Sequence, residues 1–262
     1  VRESRGTTGR STPNPYQPDR RLLEDATENL ILALETSGRR GSVAVLRGES
    51  VLAPGDIPPD ERTAAALTPL IQRTLSDAGT VLSTIKLVAV IDGPGSFTGL
   101  RVGVTTAKTL AYVLRCDVIV VNSLDVIARQ ATKQRGCAVD ATLWAVIDAQ
   151  RQQLFAASYQ CDADGKVTQR QPTAIVDNEK WLAELGSGDC VTGPGLSRLL
   201  DDLPADVKVV DRDLWAPTAE FVGKLAVEYF AAGRRDDFWK LTPQYFRQSA
   251  AEEKAAKAHP AK

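Results

Sequence analysis

The stretch GPGSFTGLRVG, residues 93–103, packs four glycines, a proline, two hydroxyls and one arginine into eleven positions. A glycine turn that opens a helix can hold a phosphate, because the first N–H groups of a helix lack internal partners and the helix dipole favours an anion there. On this ground Gly93, Gly95, Ser96 and Thr98 are candidate nucleotide contacts, and Arg101, in the first turn, can reach the same anion. Three carboxylates, Glu35, Asp92 and Asp148, each close an apolar run, with Ser37 just beyond the first. Carboxylates so placed could hold Mg²⁺ for phosphoryl transfer. They can equally cap the turn that follows and do nothing more. Arg101 can likewise serve only a surface ion pair.

The stretch fits neither common phosphate motif. Its glycines are spaced G-x-G-x-x-x-G, not G-x-G-x-x-G, and no lysine follows until Lys108, so the Walker ending is missing. A second property is its ridge. Gly95, Gly99, Gly103, Ala107 and Ala111 recur every four residues and share one side of a helix. Small residues there allow a close neighbour, which is either the chain's own sheet or helix, or a partner subunit. The partner face is the leading expectation, with Leu100, Val104 and Leu110 adding apolar contact. It predicts that Gly99→Leu or Gly103→Leu abolishes pairing while the monomer stays folded.

The elements that position these residues alternate between strand and helix. Strands are expected at 30–35, 42–46, 85–91 and 117–121, with helices at 60–78, 98–114 and 124–132. Ser96 or Thr98 would cap the middle helix. The second half opens near Thr142 with strand, loop and strand, followed by a helix at 177–185, short strands at 189–192 and 207–210, and an amphipathic helix at 219–232. Residues 236–247 are aromatic and irregular.

The layout repeats. LILALETSGRRGSVAVL aligns with LWAVIDAQRQQLFAASY, each an apolar strand ending in a carboxylate, and IDGPG later pairs with VTGPG. Two facing copies of a mixed α/β unit, with a ligand cleft between them, are the simplest reading.

Composition excludes several classes. The only histidine, His259, lies in an Ala/Lys-rich tail, which argues against histidine-based catalysis and paired histidine metal ligands. Cys116, Cys137, Cys161 and Cys190 form no CxxC pair and read as reduced, mostly buried thiols. A net charge of −1 gives no global case for nucleic acid or membrane binding. No apolar run approaches the roughly 18 residues of a membrane span, and residues 1–28 carry no apolar signal segment. A cytoplasmic protein is expected, with 1–28 an Arg-rich disordered extension and 248–262 a disordered tail.

Several segments, in order, resemble the TsaB (YeaZ) family: ILALETS at 31–37, ERTAAALTPLI at 61–71, GPGSFTGLRVG, AVIDAQRQQLFAASY at 145–159, TGPG at 192–195 and PQYFR at 243–247. The resemblance implies an actin-like, sugar-kinase-like fold of two related lobes, at 29–135 and 136–247, with the last helix free to pack back on the first lobe. It implies a non-catalytic role in making threonylcarbamoyladenosine beside the anticodon of ANN-reading tRNAs. The chain would pair with and activate a TsaD-like catalytic subunit. A TsaE-like ATPase would join, a TsaC-type enzyme would supply threonylcarbamoyl-adenylate, and tRNA would be met only indirectly. In isolation a homodimer is a candidate state. TsaD carries its metal on histidines of one helix, and the corresponding 60–78 here has none. The resemblance therefore implies no catalytic or metal residues and no cofactor of the chain's own, with ATP or ADP at the partner interface as a candidate. GRRG at 38–41 puts two arginines where an actin-like protein would contact phosphate. A stand-alone ATPase or small-molecule kinase of the same fold is the alternative.

Overall fold

A computed structural model describes residues 28–58, 60–133, 141–162 and 167–246. The expected terminal extension and tail, Cys137, Arg247 and His259 lie outside these.

Two sheets of the same topology carry the fold. In the first, β1 (Leu30–Glu35), β2 (Ser42–Arg47), β3 (Ser50–Asp56), β4 (Leu87–Gly93) and β5 (Asp117–Asn122) run in the order β3-β2-β1-β4-β5. In the second, β6 (Thr142–Asp148), β7 (Gln153–Cys161), β8 (Val167–Asp177), β9 (Cys190–Thr192) and β10 (Lys208–Val209) run β10-β9-β6-β7-β8. Each sheet joins an antiparallel meander to parallel strands: β1 is antiparallel to β2 and parallel to β4, and β6 is antiparallel to β7 and parallel to β9. The duplication visible in the sequence is thus a duplication of topology.

The sequence pattern misses β3 and β8. Both are edge strands with mostly exposed or half-buried residues, and each contains a proline, Pro54 and Pro172. Proline removes a ladder donor, which an edge tolerates and a centre does not, so the signal that reads as a loop is the signature of an edge.

Helices fill three layers. α1 (Thr63–Asp77) and α2 (Phe97–Leu114) cover the outer face of the first sheet, where Leu67, Leu70, Ile71, Val104, Ala107 and Ala111 meet Leu32, Leu34, Val43, Val88 and Val90. α3 (Ser123–Ala131) follows β5 but packs Leu124, Ile127 and Ala128 on the second sheet. α4 (Asn178–Glu184) lies on that sheet's far side, with Trp181 fully buried. α5 (Ala219–Ala231) follows the second sheet and packs Phe221, Val222, Leu225 and Ala226 on the first. The inner helices therefore cross over between lobes and tie them together.

A half-buried acid completes that tie. Asp125 on α3 accepts hydrogen bonds from Tyr159 of β7 (2.7 Å), Gln169 of β8 (3.3 Å) and Tyr229 of α5 (3.3 Å). Burial raises the Asp125 carboxyl above its usual range, and the two tyrosine hydroxyls draw it partly back. Removing a charge that satisfies buried donors typically costs 1–3 kcal/mol for each group left bare. Asp125→Ala is therefore expected to cost about 3 kcal/mol in urea unfolding, and Tyr159→Phe about 1 kcal/mol. Equal stability of Asp125→Ala and the parent would remove this cross-lobe role.

Candidate functional site

β1 and β4 are parallel neighbours, so their C-terminal ends bring the turn after Glu35 beside the loop after Asp92. Glu35 is fully buried. Its Oε1 accepts from the Ser37 N–H and hydroxyl, both at 2.6 Å, and from the Gly38 N–H at 3.1 Å. Its Oε2 has no partner, and burial lifts the carboxyl to about 7 despite those donors. Asp148, at the equivalent end of β6, does the same job: its Oδ1 accepts the Gln150 N–H at 2.7 Å. It also pairs with Arg198 at 3.4 Å, within the second lobe. Both carboxylates cap the turn after their strand, the plainer of the two roles the sequence allows.

The glycine loop is filled by its own chain. After a cis Gly93–Pro94 bond, the Ser96 N–H donates to the Ser37 carbonyl at 2.7 Å. Ser96 is the cap of α2, its hydroxyl accepting the Gly99 N–H at 3.3 Å. Thr98, the other cap candidate, is exposed in the first turn. A side chain at Gly95 would meet the Ser37 carbonyl at 2.6 Å, and one at Gly93 the Gln244 carbonyl at 2.6 Å. The Gln244 N–H in turn donates to the Asp92 carbonyl at 2.8 Å. The Asp92 carboxyl is lifted to about 7 by burial, against the pull of Arg234. The Ser96 and Gly99 N–H groups are thus engaged within the chain, and the chain's own carbonyls fill the space beside Gly93 and Gly95. Burial raises both the Glu35 and Asp92 carboxyls above their usual range, so either would have to give up a proton to hold a cation.

The small-residue ridge turns inward. Gly99 lies against the Thr36 carbonyl and Gly103 against the Thr36 side chain. Ala107 and Ala111 are buried in the core beneath the first sheet with Val104, and Leu100 is buried on the sheet's other side. Leu110 is half-buried at the edge of the first of these clusters and Gly95 is half-buried against Ser37. The close approach the glycines permit is to Thr36 and Ser37, in the turn that follows β1, so the ridge faces the chain's own first lobe. Periodicity identifies which residues share a face; it does not say whether sheet or partner lies opposite.

Arg101 makes no ion pair among the described residues. Its guanidinium stacks 4.0 Å from the Phe97 ring centre and donates to the Tyr245 hydroxyl at 2.9 Å. Tyr245 belongs to a strap the sequence marks only by its aromatics. From Asp236, held on the edge of β5 by Val118 and Val120, the strap runs back along α2. Phe238 and Trp239 meet Tyr112, Leu241 enters the core, and Phe246 reaches Phe155 in the second lobe.

Besides Arg101 and Tyr112, α2 leaves open an outer strip where Thr98, Thr105, Thr109 and Val113 are exposed and Val102 and Thr106 half-buried. None of the strip residues is charged. A separate groove of about 220 Å³ between the lobes is lined by Ser42, Asp56, Gln130, Lys133 and Glu220, whose lysine and glutamate pair with each other at 3.3 Å. Among the described residues no three His, Cys, Asp or Glu side chains come together as a metal site, and no helix is long and apolar enough to cross a membrane.

These features define a duplicated, two-lobed α/β protein whose lobes exchange helices and whose glycine loop locks a helix onto its own sheet. The chain belongs to the TsaB family. It is 31% identical over 226 residues to the tRNA threonylcarbamoyladenosine biosynthesis protein TsaB of Escherichia coli, covering 84% of this chain and 96% of that one. The Bacillus subtilis protein of the same name is 31% identical over 159 residues, or 61% of this chain and 67% of its own length. Residues 59–186 match the family model described as TsaD, tRNA N6-adenosine threonylcarbamoyltransferase. Among solved structures, YeaZ from Pseudomonas aeruginosa superposes with a TM-score of 0.72 at 26% identity, covering 83% of this chain and 99% of that one.

Proposed function

We propose that this chain is a non-catalytic subunit of the machinery that forms threonylcarbamoyladenosine on ANN-reading tRNAs, acting by docking on and activating a TsaD-type catalytic subunit. The identity to the E. coli TsaB over nearly that protein's whole length carries the reading. In this reading a TsaE-type ATPase joins the assembly, a TsaC-type enzyme supplies the activated threonylcarbamoyl group, and the isolated chain can pair with itself.

With the glycine ridge turned inward, the docking surface moves to the opposite side of the same helix. Val113 is 67% exposed, and the threonines beside it form an uncharged strip on a rigid, buried-backed helix. A strip of this kind can pack against a second helix without desolvating charge. Val113→Glu combined with Thr109→Glu is expected to abolish co-purification with the TsaD-type subunit of the same organism. Threonylcarbamoyladenosine in total tRNA, read by mass spectrometry in cells dependent on this chain, should fall with it. Because both positions are exposed, the unfolding temperature should hardly change. A variant that still co-purifies and still supports the modification would overturn this docking surface. Full modification in cells lacking the chain would overturn the function.

A further inference from the structure

A basic and aromatic seam runs along α2 beside the uncharged strip. Arg101 and Lys108, seven residues apart, share one side of the helix about 10 Å apart along its axis, and Arg115 caps the helix's C-terminal end in a left-handed conformation. α2 contains no acidic residue. Among the described residues none of these three cations pairs with a carboxylate. In the adjoining strap every charge is matched within the chain: Arg234 with Asp236, Arg235 with Asp117 and Lys240 with Asp237. The positive charge of the seam is therefore uncompensated, in a chain whose net charge is −1.

The cations alternate with exposed rings. Tyr245 is 42% exposed at Arg101, Trp239 is 65% exposed where its carbonyl accepts from Lys108 at 2.9 Å, and Tyr112 is 59% exposed against Trp239. The Tyr112 and Trp239 rings sit edge to face at 5.5 Å, with Phe238 behind Trp239 at 4.8 Å. These are large apolar rings kept at the surface and held in fixed orientations. Trp144, Trp181 and Trp215, the other tryptophans, are all buried. Rings that offer a face or edge for stacking, separated by cations that can meet phosphates, are what single-stranded nucleic acid requires.

We propose that this seam binds a single-stranded RNA segment directly, with Trp239 and Tyr112 stacking on bases and Arg101, Lys108 and Arg115 on the backbone. The inference rests on the proposed role in tRNA modification for its choice of RNA, and it makes this chain a tRNA-contacting subunit rather than a purely protein-binding one.

The test uses the full chain without partners, an ANN-reading tRNA transcript, an unstructured RNA 12-mer and a blunt RNA duplex. Both tRNA and 12-mer should quench tryptophan emission, since only Trp239 is accessible, and the duplex should not. Trp239→Phe should retain binding by anisotropy and lose the quench. Trp239→Ala should weaken binding about tenfold, as expected for losing one stacked base. Arg101→Gln and Lys108→Gln should each flatten the dependence of affinity on salt. The exposed position of Trp239 predicts an unchanged unfolding temperature for its variants. Val113→Glu with Thr109→Glu should keep RNA binding while losing the TsaD-type subunit, and Trp239→Ala should do the reverse, so the two readings fail separately. Absence of quenching and of binding, equal affinity of Trp239→Ala and parent, or loss of partner capture with unchanged RNA affinity in Trp239→Ala would each overturn the proposal.

Discussion

Gly99→Ala is expected to lower the unfolding temperature by about 10 °C, and Gly99→Leu to leave no folded monomer. The reason lies in what the missing side chain would strike. A Cβ at Gly99 would fall on the Thr36 carbonyl, just past the end of β1, with backbone on both sides of the clash. Neither side can rotate away, as a side-chain tip could. Relief requires moving the first turn of α2 off the sheet. That motion would also part the Ser96 N–H from the Ser37 carbonyl, now at 2.7 Å, and lift Gly103 from Thr36. Overpacking in a core usually costs 1–3 kcal/mol, and a backbone-on-backbone collision belongs at or above the upper end, about 3 kcal/mol. Thr98→Ala, one residue earlier and exposed, should leave the unfolding temperature within about 2 °C of the parent. A Gly99→Ala protein that melts with the parent would show that the helix does not sit this close. The expectation drawn from the ridge alone, that Gly99→Leu or Gly103→Leu spares the monomer and breaks only an assembly, does not survive this geometry.

That reversal marks where the sequence is legible and where it is not. The apolar runs of β1, β4 and β6 are unmistakable because both faces of each strand are covered. The carboxylates that close β1 and β6 announce the duplication, and each proves to cap its own turn. The spacing of Gly99, Gly103, Ala107 and Ala111 identifies a close-packed face correctly. It is silent about the neighbour, because a sheet and a second helix ask for the same small residues. Pro54 and Pro172 hide β3 and β8, since breaker and edge-strand signals coincide. Asp125 stands out only weakly: one acid on a short helix, with Arg129 four residues on where a plain surface ion pair would be expected. Its partners Tyr159, Gln169 and Tyr229 lie 34, 44 and 104 residues away in sequence. The strap is the least legible of all. Its aromatics show that something is covered, but its path along α2 is set by contacts with Asp92, Phe97, Lys108 and Tyr112 that no local pattern encodes.

The buried carboxyls give the second large effect, one of pH. Glu35 is lifted from 4.5 to about 7 chiefly by burial, and its Oε2 is without a partner. In the unfolded chain the same group titrates near its ordinary value. Below about pH 4.5 both states hold the proton and the group does not bias folding. Between 4.5 and 7 the folded state keeps a proton that the unfolded state releases, so stability falls as pH rises. Above 7 both are ionised and the full penalty stands, about 3 kcal/mol. Glu35→Gln keeps an oxygen for the Ser37 and Gly38 donors and cannot ionise. The variant is expected to lose the decline: relative to the parent it should gain about 3 kcal/mol on going from pH 5 to pH 8 in urea unfolding. Asp92, lifted to about 7 from 3.8 by burial, has the same sign, so Asp92→Asn should remove a second, comparable part of the decline. A parent and a Glu35→Gln variant with parallel stability curves across that window would mean that Glu35 is ionised when folded. It would then be available as a cation ligand without first giving up a proton.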